Sequence, residues 1–288
     1  MSTPSGLSLG QIFSRAVELY RPALGPLFVG IMLPLAITQG VLAAAVAVFQ
    51  IAMGSGVPTP GALVGGGISV AIGVFFAVVI GLIGAGALAH ASFSLAAGRP
   101  VMAAESWKQG LRLRVWGTLI LSGLGVGVGL VCCLLPGMYA AIVWALALPV
   151  VFEESTAYAA ALGRSSELAS FNPQGGIGND PRLRIFLVFL VSLVCTYALS
   201  TMIQLPLIIA SFIVGARAAS AGNPEAFAMP AYLHWLQVPT TVGVSLVQSA
   251  FVVFSALAVA ILYFDIRGRM EAKDLDSAID AMGASPNA

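Results

Sequence analysis

Residues 115–152 have the sequence VWGTLILSGL GVGVGLVCCL LPGMYAAIVW ALALPVVF, without a single Asp, Glu, Lys or Arg. A helix needs about 20 apolar residues to cross a hydrocarbon core about 30 Å thick. These 38 residues are therefore too many for one ordinary span, and Pro136-Gly137 near the middle predicts two short spans joined by a turn. Because each limb has only about 17 to 20 residues, a partly re-entrant pair is the alternative.

Three further stretches without charge are each long enough to hold at least one span: residues 22–98 (77 residues), 185–216 (32) and 226–264 (39). Over all 288 residues, 59% are hydrophobic and 9% are charged, against about a quarter charged in soluble domains. This composition excludes a water-soluble fold, and a net charge of +1 argues against nucleic-acid binding. The predicted spans are at about 28–52, 68–95, 116–135, 137–152, 185–215 and 238–264.

The distribution of basic residues decides between one and two spans in 115–152. Lys and Arg near span ends stay on the cytoplasmic side of a membrane. With six spans, twelve of the thirteen basic residues fall on one side, and only Arg217 lies opposite. With five spans the division is seven against six. The sequence therefore predicts six spans with both termini cytoplasmic.

Amphipathic segments precede the spans three times. The first begins with a capping box, Ser8 and Gln11, and places apolar residues at helical spacing. The second covers about 103–115 and the third about 156–170. The residues expected on the apolar face are Leu9, Ile12, Phe13, Ala16 and Tyr20 in the first segment; Ala104, Trp107, Leu111 and Val115 in the second; and Ala161, Leu162 and Leu168 in the third, opposite Arg164, Ser165 and Glu167.

This repetition predicts an all-α polytopic membrane bundle of three units, each an amphipathic helix plus a transmembrane hairpin. Parallel repeats of this kind occur in transporters and also in purely structural bundles. We expect one transmembrane domain over residues 1–270. Residues 271–288 form a cytoplasmic tail, either a short amphipathic helix that ends at Gly283 or a frayed segment.

Polar residues within the spans offer one candidate site. Gln39, Gln204 and Gln248 lie in three different spans, each of which also contains a proline that bends or breaks it: Pro34, Pro206 and Pro239. Two interpretations are open: hydrogen bonds between helices, or a polar cavity for an uncharged or lipid-like ligand.

Charged residues at the cytoplasmic rim offer a second candidate. Glu153, Glu154, Glu167 and Asp265 are expected to form ion pairs with Arg112, Arg114, Arg164 and Arg267. Such pairs would fix the amphipathic helices to the span ends, and the alternative is recognition of lipid headgroups.

Catalytic and metal-binding patterns are not found in the sequence. His90 and His234 have no second His or thiol nearby, and Cys132, Cys133 and Cys195 fall within spans, where cysteine is typically a small apolar residue. Alternating glycines at 123, 125, 127 and 129 fit the small-xxx-small spacing of close helix contacts. We therefore expect no enzyme activity, no metal and no cofactor.

Several motifs resemble one family. They are SLGQI (8–12), PGMY (136–139), WALALPVV (144–151), ALGRSSEL (161–168) and LYFDIR (262–267). Over nearly the whole chain the sequence resembles the membrane domain of bacterial glycerophosphoryl diester phosphodiesterases and related six-span proteins. In fused relatives the catalytic histidines and metal-binding carboxylates belong to a separate soluble domain. The resemblance therefore implies a membrane fold and transfers no functional residue.

Together these observations predict a multi-pass protein of the bacterial inner membrane, in contact with lipid and with a membrane-protein partner or further copies of itself. The leading expectation is a non-enzymatic scaffold or accessory subunit of a membrane complex or envelope process. The alternative is a passive transporter or a protein that handles lipid or another hydrophobic ligand, with a site near the three glutamines.

Overall fold

The structure, a computed structural model, describes residues 7–54, 60–172, 180–221 and 231–283, and these ranges are helical with no strands. The elements in order are α1 (Leu9–Leu27), a π-helical segment (Phe28–Met32), α2 (Leu33–Gly54), α3 (Pro60–Ala96), α4 (Ala103–Gly110), α5 (Leu113–Cys132), α6 (Leu134–Val143), α7 (Ala147–Glu153), α8 (Tyr158–Ser170), α9 (Pro181–Ala221) and α10 (Ala231–Gly283).

Six helical stretches in the described ranges are long and apolar enough to cross a membrane, which confirms the predicted all-helical class and the predicted number. They are Leu9–Ile51, Gly67–Ala96, Leu113–Cys132, Leu134–Glu153, Pro181–Arg217 and Tyr232–Leu275. The chain is accordingly treated as a multi-pass membrane protein.

The hairpin within 115–152 turns three residues earlier than the sequence predicts. Helix α5 ends at Cys132, and Cys133 is extended, with φ −168° and ψ 135°. Pro136 instead lies in the first turn of α6, where its missing N–H removes no helical hydrogen bond. Gly137 is buried, and a Cβ placed there would lie 2.5 Å from the backbone nitrogen of Leu130. The proline and glycine therefore serve the packing of the second limb rather than the turn.

The three amphipathic segments agree with the sequence to different degrees. The capping box of α1 is present, with the Gln11 side chain accepting from the Ser8 N–H at 2.8 Å. The predicted face of α8 is buried, at Ala161, Leu162 and Leu168. Ser165, however, was placed on the polar face and is fully buried, where its hydroxyl donates to the Val143 carbonyl at 2.7 Å.

The predicted face of the second segment is correct only in part. Val115 is fully buried and Trp107 is half-buried, but Ala104 and Leu111 are exposed. The buried residues of α4 itself are Ser106 and Gly110. A Cβ placed at Gly86 of α3 would lie only 3.1 Å from the Gly110 Cα, so only small side chains fit between these helices. Close packing therefore selects the small residues of α4.

Two of the three prolines and the C-terminal segment lie within long helices. Helix α9 continues through Pro206 and α10 through Pro239, so neither proline ends its span. The Thr240 hydroxyl donates to the carbonyls of Leu236 and Gln237, beside the position where Pro239 supplies no N–H. Helix α10 then runs without a break to Gly283, so the predicted tail is a continuation of the last span.

The chain divides into two compact units. The first contains the residues up to Gly25, Gly86–Ser192 and the residues from Val253 onward. Its core includes Ile12, Phe93, Leu146, Leu168 and Tyr263, all almost fully buried.

The second unit contains Pro26–Ala85 and Leu193–Val252. Glycines bring its helices together: a Cβ at Gly40 would lie 2.5 Å from Val242, and a Cβ at Gly84 would overlap Leu35. Close glycine contacts replace the large interlocking side chains of soluble cores, as is usual for helices in membranes.

Candidate functional site

The candidate site lies in the first unit, where the uncharged stretch of α10 ends. Tyr263 and Arg267 are four residues apart and share one face of the helix, whereas Asp265 and Arg269 share another. Each face makes its own set of contacts. We name these sets the Glu153/Glu154 cluster and the Asp265 cluster.

Glu153 joins three parts of the chain within the Glu153/Glu154 cluster. Glu153 is the last residue of α7. Its carboxylate lies 3.3 Å from the Arg267 guanidinium of α10 and 3.7 Å from that of Arg99, which follows α3. Arg267 also pairs with Glu271, one turn further along α10, at 2.8 Å. Glu153 thus binds α10 to the segment that leads into α4.

Glu154 makes a parallel set of contacts. Its carboxylate accepts a hydrogen bond from Arg164 of α8 at 3.2 Å and from the Tyr263 hydroxyl at 3.1 Å. Tyr263 in turn accepts one from Arg267 at 3.3 Å. The Glu167 hydrogen bond and, after it, the Glu154 charge raise the pKa of Arg164, so this arginine stays charged at every physiological pH.

The link between α7 and α8 sets the direction of the two glutamates. Ser155 and Tyr158 both have φ of 57°, a left-handed conformation that costs a non-glycine residue about 1 to 2 kcal/mol. The Tyr158 N–H donates to the Thr118 hydroxyl at 2.9 Å, and a Cβ at Gly117 would overlap the Tyr158 ring. Contacts with α5 therefore hold a strained turn in place.

The Asp265 cluster is more deeply buried. The Asp265 carboxylate accepts from the Leu7 N–H at 3.2 Å and from the Arg269 guanidinium at 2.9 Å, and it lies 3.9 Å from Arg184 of α9. The side chains are 11% exposed for Asp265, 7% for Arg269 and 6% for Arg184. One carboxylate therefore faces two buried guanidinium groups, and its loss would leave both without that counter-charge.

Aromatic rings separate these charges from the rest of the core. Phe93 is 2% exposed and stacks on Phe264 with ring centroids 5.3 Å apart. Tyr263 meets Phe264 edge to face at 5.4 Å. These rings exclude water from one side of the ion pairs, which strengthens their attraction.

The sequence-based set of rim residues overlaps this site in part. Glu153, Glu154, Glu167, Arg164, Asp265 and Arg267 all form ion pairs, although Asp265 pairs within α10 and with α9. Arg112 and Arg114 take no part in the ion pairs of the described residues, and the buried Nε of Arg114 has no hydrogen-bond partner there.

Four members of the site are not among the residues singled out from sequence: Arg99, Arg184, Tyr263 and Arg269. The four-residue spacings Tyr263 to Arg267 and Asp265 to Arg269 are visible in the sequence and could have identified two of them. Arg99 and Arg184 could not be found in this way, since their contacts depend on how distant segments pack.

The three glutamines lie in the second unit. Gln39 and Gln204 are half-buried and Gln248 is exposed. Among the described residues no hydrogen bond joins any two of them. A polar contact between helices of this unit joins Gln50 and His234, at 2.9 Å.

Histidines and cysteines show no metal-binding arrangement in the described part of the chain, where no group of three or more such side chains comes together. His90 lies 3.3 Å from the Ser106 hydroxyl and meets the Phe152 ring edge to face. Cys132 and Cys133 are exposed free thiols, and Cys195 is half-buried.

Comparison with known proteins gives no relative: no family model matches the chain, and neither a curated protein nor a solved structure is significantly similar to it. The arrangement of residues is therefore the basis for any functional conclusion. That arrangement joins helix ends through charged groups that are bonded to one another.

Proposed function

We propose that this protein is a non-enzymatic integral membrane protein that acts as a scaffold or accessory subunit of a membrane complex or envelope process. One observation carries the proposal. Glu153, Glu154 and Asp265 are each bonded to arginines from other helices, so they serve to hold the helices together. A catalytic base or proton carrier requires a carboxylate that is free to exchange its proton.

The proposed orientation has both termini in the cytoplasm of a bacterial cell, with the spans in the inner membrane. Twelve of thirteen basic residues then lie on the cytoplasmic side.

The proposed architecture has three parallel units. Its support is the order of elements: α4 and α8 each come before a pair of stretches long enough to span, and α1 is the first part of the stretch that begins the remaining pair.

The glycine series of α5 supplies a candidate surface for a partner. Gly125 and Gly129 face inward, where an added Cβ would lie 2.5 Å from Trp144 and 2.8 Å from the Gly137 Cα. Gly123 and Gly127 have no atom within 4 Å of such a Cβ. One pair of glycines is thus used within the hairpin, and we infer that the other, open pair forms a shallow groove that another helix fits.

Native mass spectrometry of the protein, extracted from its own membranes into lipid nanodiscs, tests this proposal. We expect a stoichiometric protein partner or a homo-oligomer. The double variant Gly123→Leu/Gly127→Leu fills the groove and should release the partner. Gly163→Leu, at an exposed and equally open glycine of α8, is the matched control and should retain it.

A monomer in every preparation would refute the scaffold proposal. If that monomer carried one lipid or metabolite, passive transport or lipid handling would become the better explanation. Among the described residues no hydrogen bond joins Gln39, Gln204 and Gln248, so that alternative would need support from ligand binding itself. The resemblance to the glycerophosphoryl diester phosphodiesterase membrane domain stays a prediction.

A further inference from the structure

A cavity of about 330 Å³ lies beside the Asp265 cluster in the first unit, open on one side. Its lining comes from three parts of the chain: Leu7 and Arg15, Ala96 at the end of α3, and Ile261, Phe264 and Asp265 of α10. Small-molecule sites have volumes of about 300 to 1,000 Å³, so this cavity has room for a group of headgroup size.

The position of the cavity relative to the membrane follows from the sequence. Phe264 is the last residue of one uncharged stretch, and Ala96 lies three residues before Arg99, which ends another. Two spans therefore change from uncharged to charged residues at the level of this cavity. Lipid phosphates occupy the same level, at the boundary between the hydrocarbon core and water.

The charge of the cavity is positive. Asp265 already accepts from Arg269 and the Leu7 N–H and lies close to Arg184, so its carboxylate is not free to bind a cation. Arg15 is exposed and forms no ion pair among the described residues, including with Glu18 one turn along α1. An unpaired guanidinium beside a neutralised carboxylate attracts an anion.

The remaining walls of the cavity are apolar, and this indicates which class of anion the cavity fits. Leu7, Ala96, Ile261 and Phe264 surround the space next to Arg15. A small inorganic anion gains nothing from such walls, whereas an anion attached to a glycerol and acyl chains buries apolar surface against them. We propose that this cavity binds the phosphodiester headgroup of one anionic phospholipid, with its phosphate on Arg15. The proposal does not depend on the scaffold function.

The test uses the full chain in a neutral detergent, titrated with phosphatidylglycerol and followed by native mass spectrometry. The wild type should retain one phosphatidylglycerol, and an equivalent titration with zwitterionic phosphatidylcholine should bind at least about tenfold more weakly. Arg15→Gln should weaken phosphatidylglycerol binding about tenfold, equal to about 1.4 kcal/mol. Arg21→Gln removes an exposed arginine of the same helix that does not line the cavity, and should change affinity by less than about twofold.

A second variant tests the apolar walls. Ala96→Phe fills the cavity without changing charge and should weaken binding at least as much as Arg15→Gln, with the melting temperature of each variant measured alongside. Equal losses in Arg15→Gln and Arg21→Gln would show a diffuse charge effect and overturn the proposal. So would equal affinity for both lipids, undiminished binding in Ala96→Phe, or complete displacement by inorganic phosphate, which would indicate a site for free phosphate.

Discussion

Asp265→Asn is the substitution for which the structure gives the largest expected effect. The change preserves shape and removes one negative charge from a side chain that is 11% exposed. An asparagine oxygen can still accept from the Leu7 N–H. Its amide group, however, carries two donors and no charge, so Arg184 and Arg269 lose their shared carboxylate.

The size of the effect follows from burial. Removing one partner of a buried ion pair costs about 3 to 5 kcal/mol, because a largely buried charge then loses its counter-charge. For a chain of this size each kcal/mol corresponds to about 2 °C in melting temperature, so the midpoint should fall by about 6 to 10 °C. Thermal unfolding in a fixed detergent, followed by intrinsic tryptophan fluorescence, measures this shift.

The control is Glu271→Gln, which removes a carboxylate from the same helix that is 65% exposed and pairs with Arg267. Exposed ion pairs contribute about 0 to 1 kcal/mol, so the midpoint should move by about 2 °C or less. Adding Arg269→Met to Asp265→Asn removes the cation that lay 2.9 Å from the Asp265 carboxylate and should restore part of the loss. Equal midpoints for Asp265→Asn and Glu271→Gln would refute the assignment of Asp265 as a buried anchor.

Three further substitutions or probes test other parts of the structure. Gly129→Ala places a Cβ 2.8 Å from the backbone of the opposing helix and should lower the melting temperature by several degrees, whereas Gly123→Ala, in open space, should leave it within about 1 °C. Tyr263→Phe removes one hydroxyl bonded to Glu154 and Arg267 and should cost about 1 to 3 kcal/mol, because hydrogen bonds to charged groups contribute this much; denaturant or thermal unfolding measures it. Cys132 and Cys133 are exposed at the end of α5, so a membrane-impermeant maleimide applied from the periplasmic side should label them if the hairpin spans fully, and should leave them unmodified if it is re-entrant.

The number and class of the membrane helices could be predicted because absence of charge over long stretches is a strong signal. The exact turn of the hairpin could not, since Pro136 and Gly137 are also suited to the start and the buried face of a helix. The face of the second amphipathic segment was predicted only in part, for a related reason. In a membrane the larger apolar residues also face outward, so hydrophobic periodicity does not distinguish buried from exposed sides, and small residues such as Gly110 mark the contact.

The site was predictable where it depends on local spacing and not where it depends on distant segments. Glu153, Glu154, Arg164 and Arg267 follow from charges that cluster at span ends. The contact between Arg184 and Asp265 could not be read from the sequence, because it requires α9 and α10 to pack in one particular rotation. The same limit applies to Gln39, Gln204 and Gln248. Whether they form hydrogen bonds with one another depends on the rotation of their helices, which the sequence does not determine.

The hydrogen bond between Leu7 and Asp265 has a consequence for biosynthesis, since 258 positions separate its two residues. Ribosomes add about 5 to 20 residues per second, so the amino-terminal segment waits some tens of seconds before its acceptor is made. During that interval Arg184 has already been synthesised and lacks its carboxylate. Translation of the last helix therefore completes the first unit, and chains released before Asp265 lack the carboxylate that both Leu7 and Arg184 contact.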